Sequence, residues 1–264
     1  MNVSVLQFDI VPGSPAANRE NAARLIKDEV NQNNPDIIVL PEMWTTAYTL
    51  QNLNNIADDK SSETIPFLQK LAKECNVHLV AGSIAYKNGD KMFNRALVIN
   101  QKGDLVYHYD KLHLVPMLDE PTYLTAGENK AAVFEIDGMK MGLIICYDLR
   151  FPELTRALAL EGAQAIFIAA EWPQARRDHW RYLQLARAIE NQVYILSCNR
   201  IGEYDGVEFA GTSMIIDPWG NILGEGSQNK EETIRAVISS DEVNIARQKV
   251  PVFESRVPNF YTYY

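Results

Sequence analysis

The chain of 264 residues is 47% hydrophobic and 22% charged, enough apolar material for a full core in one unit rather than several. Its formal net charge is -9 and its longest cationic cluster is Arg176-Arg177, which excludes a general nucleic-acid binder and favours a small-molecule partner. No apolar run is long enough to span a membrane, and Cys75, Cys146 and Cys198 show neither disulfide-framework nor CxxC spacing, so a soluble protein of the reducing cytoplasm is expected.

Residues Met1 to Phe8 alternate like a strand and lack the cationic start and long apolar core of a signal peptide. Gly13-Ser14-Pro15 predicts a helix start, with Ser14 as cap, and the helix runs to about Asn31 with Ala22, Ala23, Leu25, Ile26 and Val30 on one stripe. Asp36 to Leu40 is a continuously apolar strand ended by Pro41 and then Glu42. A helix over Ile65 to Cys75 and a strand over Val77 to Ser83 repeat the alternation. From Phe93 the rhythm changes to a hairpin, Asn94 to Asn100 and Leu105 to Tyr109, which delivers Asp110-Lys111 at its end.

The stretch Val115 to Gly127 has no period and reads as a functional surface loop. A second hairpin, Ala132 to Asp137 and Met141 to Ile145, leads into Cys146, and Asp148 and Pro152 mark the start of a helix to Glu161. Strand Ala165 to Ala170 ends at Glu171-Trp172-Pro173, followed by a long helix from about Arg176 to Gln192 and a strand from Val193 to Cys198. The pair Gly211 to Ile216 and Gly220 to Gly224, a strand near Thr233 to Ser239, and a short helix capped by Asp241 complete the elements. A tail from Pro251 to Tyr264 carries two prolines and several aromatics, and there is no internal repeat.

Cys146 sits where a buried strand breaks into a helix, a position where unsatisfied N–H groups favour a thiolate and can bind a developing oxyanion. Taken alone, the stretch fits an inert core thiol better than a nucleophile. In open α/β sheets, however, ligands bind outside the carboxyl ends of strands, and Glu42, Lys111, Cys146 and Glu171-Trp172 each lie where a predicted strand stops. With that set, Glu42 takes the thiol proton, Cys146 attacks an amide carbonyl, and Lys111 with the Tyr147 backbone N–H stabilises the oxyanion. The chemical rival is a Cys-His pair drawn from His78, His108, His113 or His179, but no papain-like or caspase-like motif surrounds the cysteine.

Three blocks carry a family resemblance: Leu40-Pro41-Glu42, Tyr109-Asp110-Lys111-Leu112-His113-Leu114, and Ile145-Cys146-Tyr147-Asp148-Leu149-Arg150-Phe151-Pro152-Glu153. In this order they resemble the signature blocks of the nitrilase superfamily of carbon–nitrogen hydrolases. The resemblance extends through Ala186 to Gln192, Ser197 to Arg200 and Ala210 to Ser213. It implies an α/β fold, a four-layer α-β-β-α sandwich, in one domain over 1–264, and a Glu42-Lys111-Cys146 triad supported by a second glutamate, for which Glu120 is the match. No metal or organic cofactor is implied. A homodimer is, with the tail over 251–264 at the contact.

Glu171-Trp172-Pro173, His179-Trp180 and Leu40-Pro41-Glu42-Met43 resemble the omega-amidase branch, which removes ammonia from omega-amides of dicarboxylates such as 2-oxoglutaramate or succinamate. Branches acting on deaminated glutathione, N-carbamoyl compounds or nitriles share this framework, and a catalytically silent binding or scaffold protein is the remoter alternative. A carboxylate-bearing substrate needs a cation. Arg176, beside a helix start where positive charge is disfavoured, is one candidate, and Arg150 is another unless Glu153 pairs with it. Trp44, Tyr48, Glu171 and Trp172 are candidate pocket walls, with core packing the alternative for the aromatics.

Overall fold

Apolar runs without polar alternation need cover on both faces, and the structure supplies it on two sheets at once. The computed structural model describes residues 1–261. The first part of the chain forms β1 (Asn2–Gln7), α1 (Pro15–Asn33), β2 (Ile37–Val39), α2 (Leu53–Ile56), α3 (Thr64–Cys75), β3 (His78–Asn88), β4 (Lys91–Ile99), β5 (Leu105–Asp110) and α4 (Glu120–Tyr123). The second forms β6 (Phe134–Ile136), β7 (Met139–Ile145), α5 (Pro152–Leu160), β8 (Ala165–Ala170), α6 (Arg177–Asn191), β9 (Tyr194–Asn199), β10 (Glu203–Tyr204), β11 (Val207–Glu208), β12 (Met214–Ile216), β13 (Ile222–Glu225), β14 (Glu232–Val237) and α7 (Ser240–Lys249).

One six-stranded sheet runs β14-β1-β2-β3-β4-β5 and the other β13-β12-β9-β8-β7-β6. In each, three parallel strands form the centre, β1-β2-β3 and β7-β8-β9, and antiparallel strands extend both edges. This shared layout has no counterpart as a sequence repeat.

Neighbouring side chains of the first sheet diverge to opposite faces. Val3, Val5, Ile37, Val39, Val80 and Val98 join the second sheet in one large core, whereas Leu6, Ile38, Leu79, Leu97 and Ile99 meet Ala22 and Ile26 of α1 and Leu68 and Leu71 of α3. Leu158 of α5 and Trp180 and Ala188 of α6 pack with the second sheet. The layers are therefore helix, sheet, sheet, helix, the four-layer sandwich expected. Among the described residues no helix is long and apolar enough to cross a membrane.

Three expected helix caps are reassigned. Ser14 precedes α1 without a side-chain cap; Asn18 instead ties that turn down, accepting from Val11 N–H at 2.9 Å and donating to Val11 and Thr45 carbonyls at 2.8 Å. Ser239, not Asp241, caps α7 by accepting from the Asp241 N–H. Asp148 lies in a 3-10 turn, Cys146–Arg150, and the residue before α5 is Phe151. β3 also runs past the expected Ser83 to Asn88, through an irregularity at Gly82. There φ is +57°, and a Cβ would stand 1.9 Å from the Pro41 carbonyl oxygen, so only glycine lets β3 pass under the loop that carries Glu42.

Candidate active site

Glu42 lies three residues past the end of β2, and Lys111, Cys146, Glu171 and Arg200 follow directly on the ends of β5, β7, β8 and β9. The first two come from one sheet and the others from the second, so the site forms where the two layers meet.

Glu42 is fully buried and held from several sides. Its Oε1 accepts from Lys111 Nζ at 2.9 Å, Asn94 Nδ2 at 2.8 Å and the Tyr48 hydroxyl at 2.7 Å, and its Oε2 accepts from the Glu171 backbone N–H at 2.8 Å. The loop behind it is fixed by Ser83, whose hydroxyl accepts from Met43 N–H and whose N–H donates to the Pro41 carbonyl. Lys111 is equally buried and donates a second bond, 2.8 Å, to Glu120 Oε1. Glu120 enters from α4, and its Oε2 accepts from the Val115 N–H at 2.6 Å. Burial works against the Lys111 charge, but Glu120 and Glu42 outweigh it and hold the ammonium pKa above its ordinary value. Tyr48 also reaches Glu120 Oε1, at 2.5 Å; burial, then Glu120 and Glu42, keep its phenol protonated well above the usual range.

Cys146 occupies a left-handed backbone conformation, φ +45°, at the turn from β7 into the 3-10 segment. A non-glycine residue there costs about 1 kcal/mol, which the surroundings must hold in place. Asp148 does so. One of its oxygens accepts from the Ile145 N–H at 3.1 Å and the Tyr109 hydroxyl at 2.8 Å, and the other from the His113 N–H at 3.1 Å, with His113 Nδ1 at 2.7 Å. Arg187 of α6 donates to the Leu149 carbonyl at 2.9 Å and ties the same turn from behind. Tyr147 follows as the second residue of this turn, where a backbone N–H has no partner within the helix.

The thiolate expected beside a helix start is not favoured. Burial first, then Glu42, push the Cys146 thiol well above its ordinary pKa, with Lys111 opposing and Glu120 adding to the rise. The short turn offers too little dipole to offset that loss of water, and the neighbouring Glu42 carboxylate adds to it. His113 is taken up by Asp148 and by stacking on Phe151, centroids 3.6 Å apart. Cys198 is the inert core thiol, fully buried and directed at the Leu6 carbonyl.

Cys146 opens onto a cavity of about 110 Å³, walled by Tyr147, Arg150, Glu171, Trp172 and Arg176 and covered on the loop side by Val115, Met117 and Leu118. Arg150 does not pair with Glu153. Its guanidinium lies over the Trp172 ring at 4.6 Å and contacts His179 Nδ1 at 3.3 Å, and among the described residues no carboxylate neutralises it. Trp172 is pinned by Nε1 donating to the Arg176 carbonyl, while the Arg176 side chain is exposed. Trp44 is not a wall: it is fully buried in the core between the first sheet and its helices, its Nε1 donating to the Ala81 carbonyl at 2.8 Å. Tyr48 belongs with the carboxylates rather than the cavity wall.

Sequence reasoning passed over Asn94, Asp148 as an anchor, and Arg200. Asn94 is a buried polar residue inside an apolar strand, the one signal it gives. Arg200 is fully buried, with Nη1 donating to Glu171 Oε2 at 2.9 Å and Nη2 to Asp9 at 2.7 Å.

Two stacked sheets with a buried glutamate, lysine and cysteine at their common edge define a nitrilase-type hydrolase. The chain matches the carbon–nitrogen hydrolase family over residues 2–248 and belongs to it. It is 43% identical over 252 residues to 2-oxoglutaramate amidase of Bacillus subtilis, covering 96% of each chain. It is 33% identical to the omega-amidase YafV of Escherichia coli K12, again over 96% of each. Among solved structures, Nit3 of Saccharomyces cerevisiae, a member of branch 10 of the nitrilase superfamily, superposes with a TM-score of 0.90 at 28% identity, over 98% of this chain and 97% of that one.

Proposed function

We propose that this protein is an omega-amidase, hydrolysing the terminal amide of a small dicarboxylate of the 2-oxoglutaramate or succinamate type. What carries the reading is the cavity that brings the buried Cys146 thiol together with the Arg150 guanidinium, which pairs with no carboxylate among the described residues. The names of its Bacillus subtilis and Escherichia coli relatives support it.

In the proposed reaction Glu42 takes the Cys146 proton as sulfur bonds to the amide carbon, and the oxyanion is met by Lys111 and the Tyr147 N–H. Glu42 returns that proton to nitrogen, the C–N bond breaks, and ammonia leaves a thioester. Water then attacks, giving its proton to Glu42; the C–S bond breaks, the proton goes back to sulfur, and the free acid departs. Glu120 is a positioning residue that holds Lys111, while Arg150, with Arg176 at the rim, receives the distal carboxylate. The test is ammonia release from 2-oxoglutaramate and succinamate. Turnover of a nitrile, an N-carbamoyl compound or deaminated glutathione with neither of these hydrolysed overturns the branch assignment, and wild-type activity in Cys146→Ala overturns the thioester route.

We further propose a single-domain homodimer in the cytoplasm. The helices α5 and α6 expose Leu160, Tyr182 and Ile189, and the tail exposes Val257 and Phe260, apolar surface suited to a second copy. Of that tail, residues 262–264 lie outside the described residues. A monomer by light scattering at micromolar concentration refutes the dimer.

A further inference from the structure

Glu171 presents an unusual pair of oxygens. Its Oε2 accepts from Arg200 Nη1 at 2.9 Å. Its Oε1 is buried beside the cavity that Cys146 opens onto, and it has no hydrogen-bond partner among the described residues. A buried acceptor left unpaired is costly, so the cavity is where a donor is wanted. The residue's own backbone N–H is bonded to Glu42 Oε2, which sets this side chain next to the group that delivers a proton to the departing nitrogen.

We propose that Glu171 is a specificity-determining residue whose Oε1 accepts one N–H of the substrate's unsubstituted carboxamide while Glu42 faces the nitrogen, so that the site selects a primary amide over the corresponding methyl ester. The inference rests on the amidase reading. A primary amide brings two N–H donors, one more than Glu42 alone can use, whereas the ester oxygen brings none and confronts Oε1 with a second acceptor. Arg200 makes the arrangement directional. Its other nitrogens are committed to Asp9 Oδ1, the Ile10 carbonyl and the Ile201 carbonyl, so Nη1 holds Oε2 of residue 171 and leaves Oε1 as the oxygen free to take a donor.

Glu171→Gln reverses the polarity of that wall. Arg200 Nη1 requires the carboxamide oxygen, which leaves the glutamine NH2 pointing at the substrate N–H. With succinamate and monomethyl succinate as the matched pair, kcat/KM for the amide is expected to fall by roughly tenfold to a hundredfold, with the ester unchanged or improved. An equal loss on both compounds, or no loss on either, overturns the proposal and leaves the amidase reading intact; a wild-type enzyme that releases no ammonia from succinamate defeats that reading instead.

The pH dependence of the wild-type enzyme provides a second measurement. Burial pushes the Glu171 carboxyl up to about 8, against the opposing effect of Arg200. Arg200 and, behind it, Asp9 face it from one side, Glu42 and Lys111 from the other sheet, and Cys146 and Arg150 share its cavity. All of these groups remain in Glu171→Gln, so the pH dependence of the amide-to-ester kcat/KM ratio in the wild type, compared with that of the variant, isolates Glu171. The ratio is expected to rise with pH through about 8 as the accepting carboxylate form is populated. A flat ratio overturns the assignment.

Discussion

Replacing Lys111 with methionine separates what this residue does for the fold from what it does for the reaction. The side chain is the shared cation of two fully buried carboxylates, 2.9 Å from Glu42 and 2.8 Å from Glu120. Removing one partner of a buried pair costs about 3–5 kcal/mol, and here the two carboxylates left behind are spared a second such penalty by taking up a proton between them. At roughly 2–4 °C per kcal/mol for a chain of this size, Lys111→Met should melt roughly 6–20 °C below wild type, an amount a typical domain survives while folded at room temperature. Loss of one oxyanion donor costs about 3–4 kcal/mol in the transition state, so kcat should fall about 10²–10³-fold. Thermal melts beside single-turnover ammonia release measure the two effects. Adding Glu120→Gln removes one of the stranded charges and should recover part of the melting temperature without restoring kcat. If Lys111→Met melts within roughly 2 °C of wild type, the charge accounting is wrong. If it keeps more than roughly a tenth of kcat, the oxyanion role is wrong.

Arg150→Gln should raise KM for succinamate roughly tenfold to a hundredfold with little change in kcat, the loss expected for a charge-assisted bond, and leave butyramide, which has no carboxylate, unaffected. Equal effects on both substrates would refute the assignment. Gly82→Ala puts a Cβ into the Pro41 carbonyl and should displace Glu42; because a misplacement of about 1 Å costs about a hundredfold in rate, activity should fall at least that far alongside a lower melting temperature. Ser239→Ala should cost about 1 kcal/mol of stability in urea titration and leave the kinetics unchanged.

The positions of Glu42, Lys111, Cys146 and Glu171 were legible because each lies within three residues past the end of a strand readable in sequence, and strand ends are where such sheets bind ligands. The layers were legible from the family blocks and consistent with the alternation of strand and helix. What remained hidden depends on direction rather than on order along the chain. Trp44, two residues beyond Glu42, reads as a pocket wall until the left-handed turn at Met43 sends it back into the core. Asp148 has the composition of a helix cap, yet the 3-10 turn after Cys146 points its carboxylate backward at Ile145 and His113. Thiolate stabilisation looked available from the helix start; only the burial of the thiol and the arrival of Glu42 from the other sheet and Glu120 from α4 reverse it. Asn94 gives no sequence signal beyond its polarity, because nothing local reveals that Glu42, fifty-two positions earlier, lies against it.

The division of the site between two sheets has a consequence for how this enzyme should age and adapt. The proposed base, Glu42, and the proposed nucleophile, Cys146, ride on separate plates, aligned by the interlocking of valines, isoleucines and leucines between them. A conservative exchange in that seam, far from any reacting atom, tilts one plate against the other and is read out as turnover before it is read out as melting. Activity is thus the more sensitive gauge of the seam, and heat, denaturant or mutation should silence the enzyme while most of its secondary structure still stands.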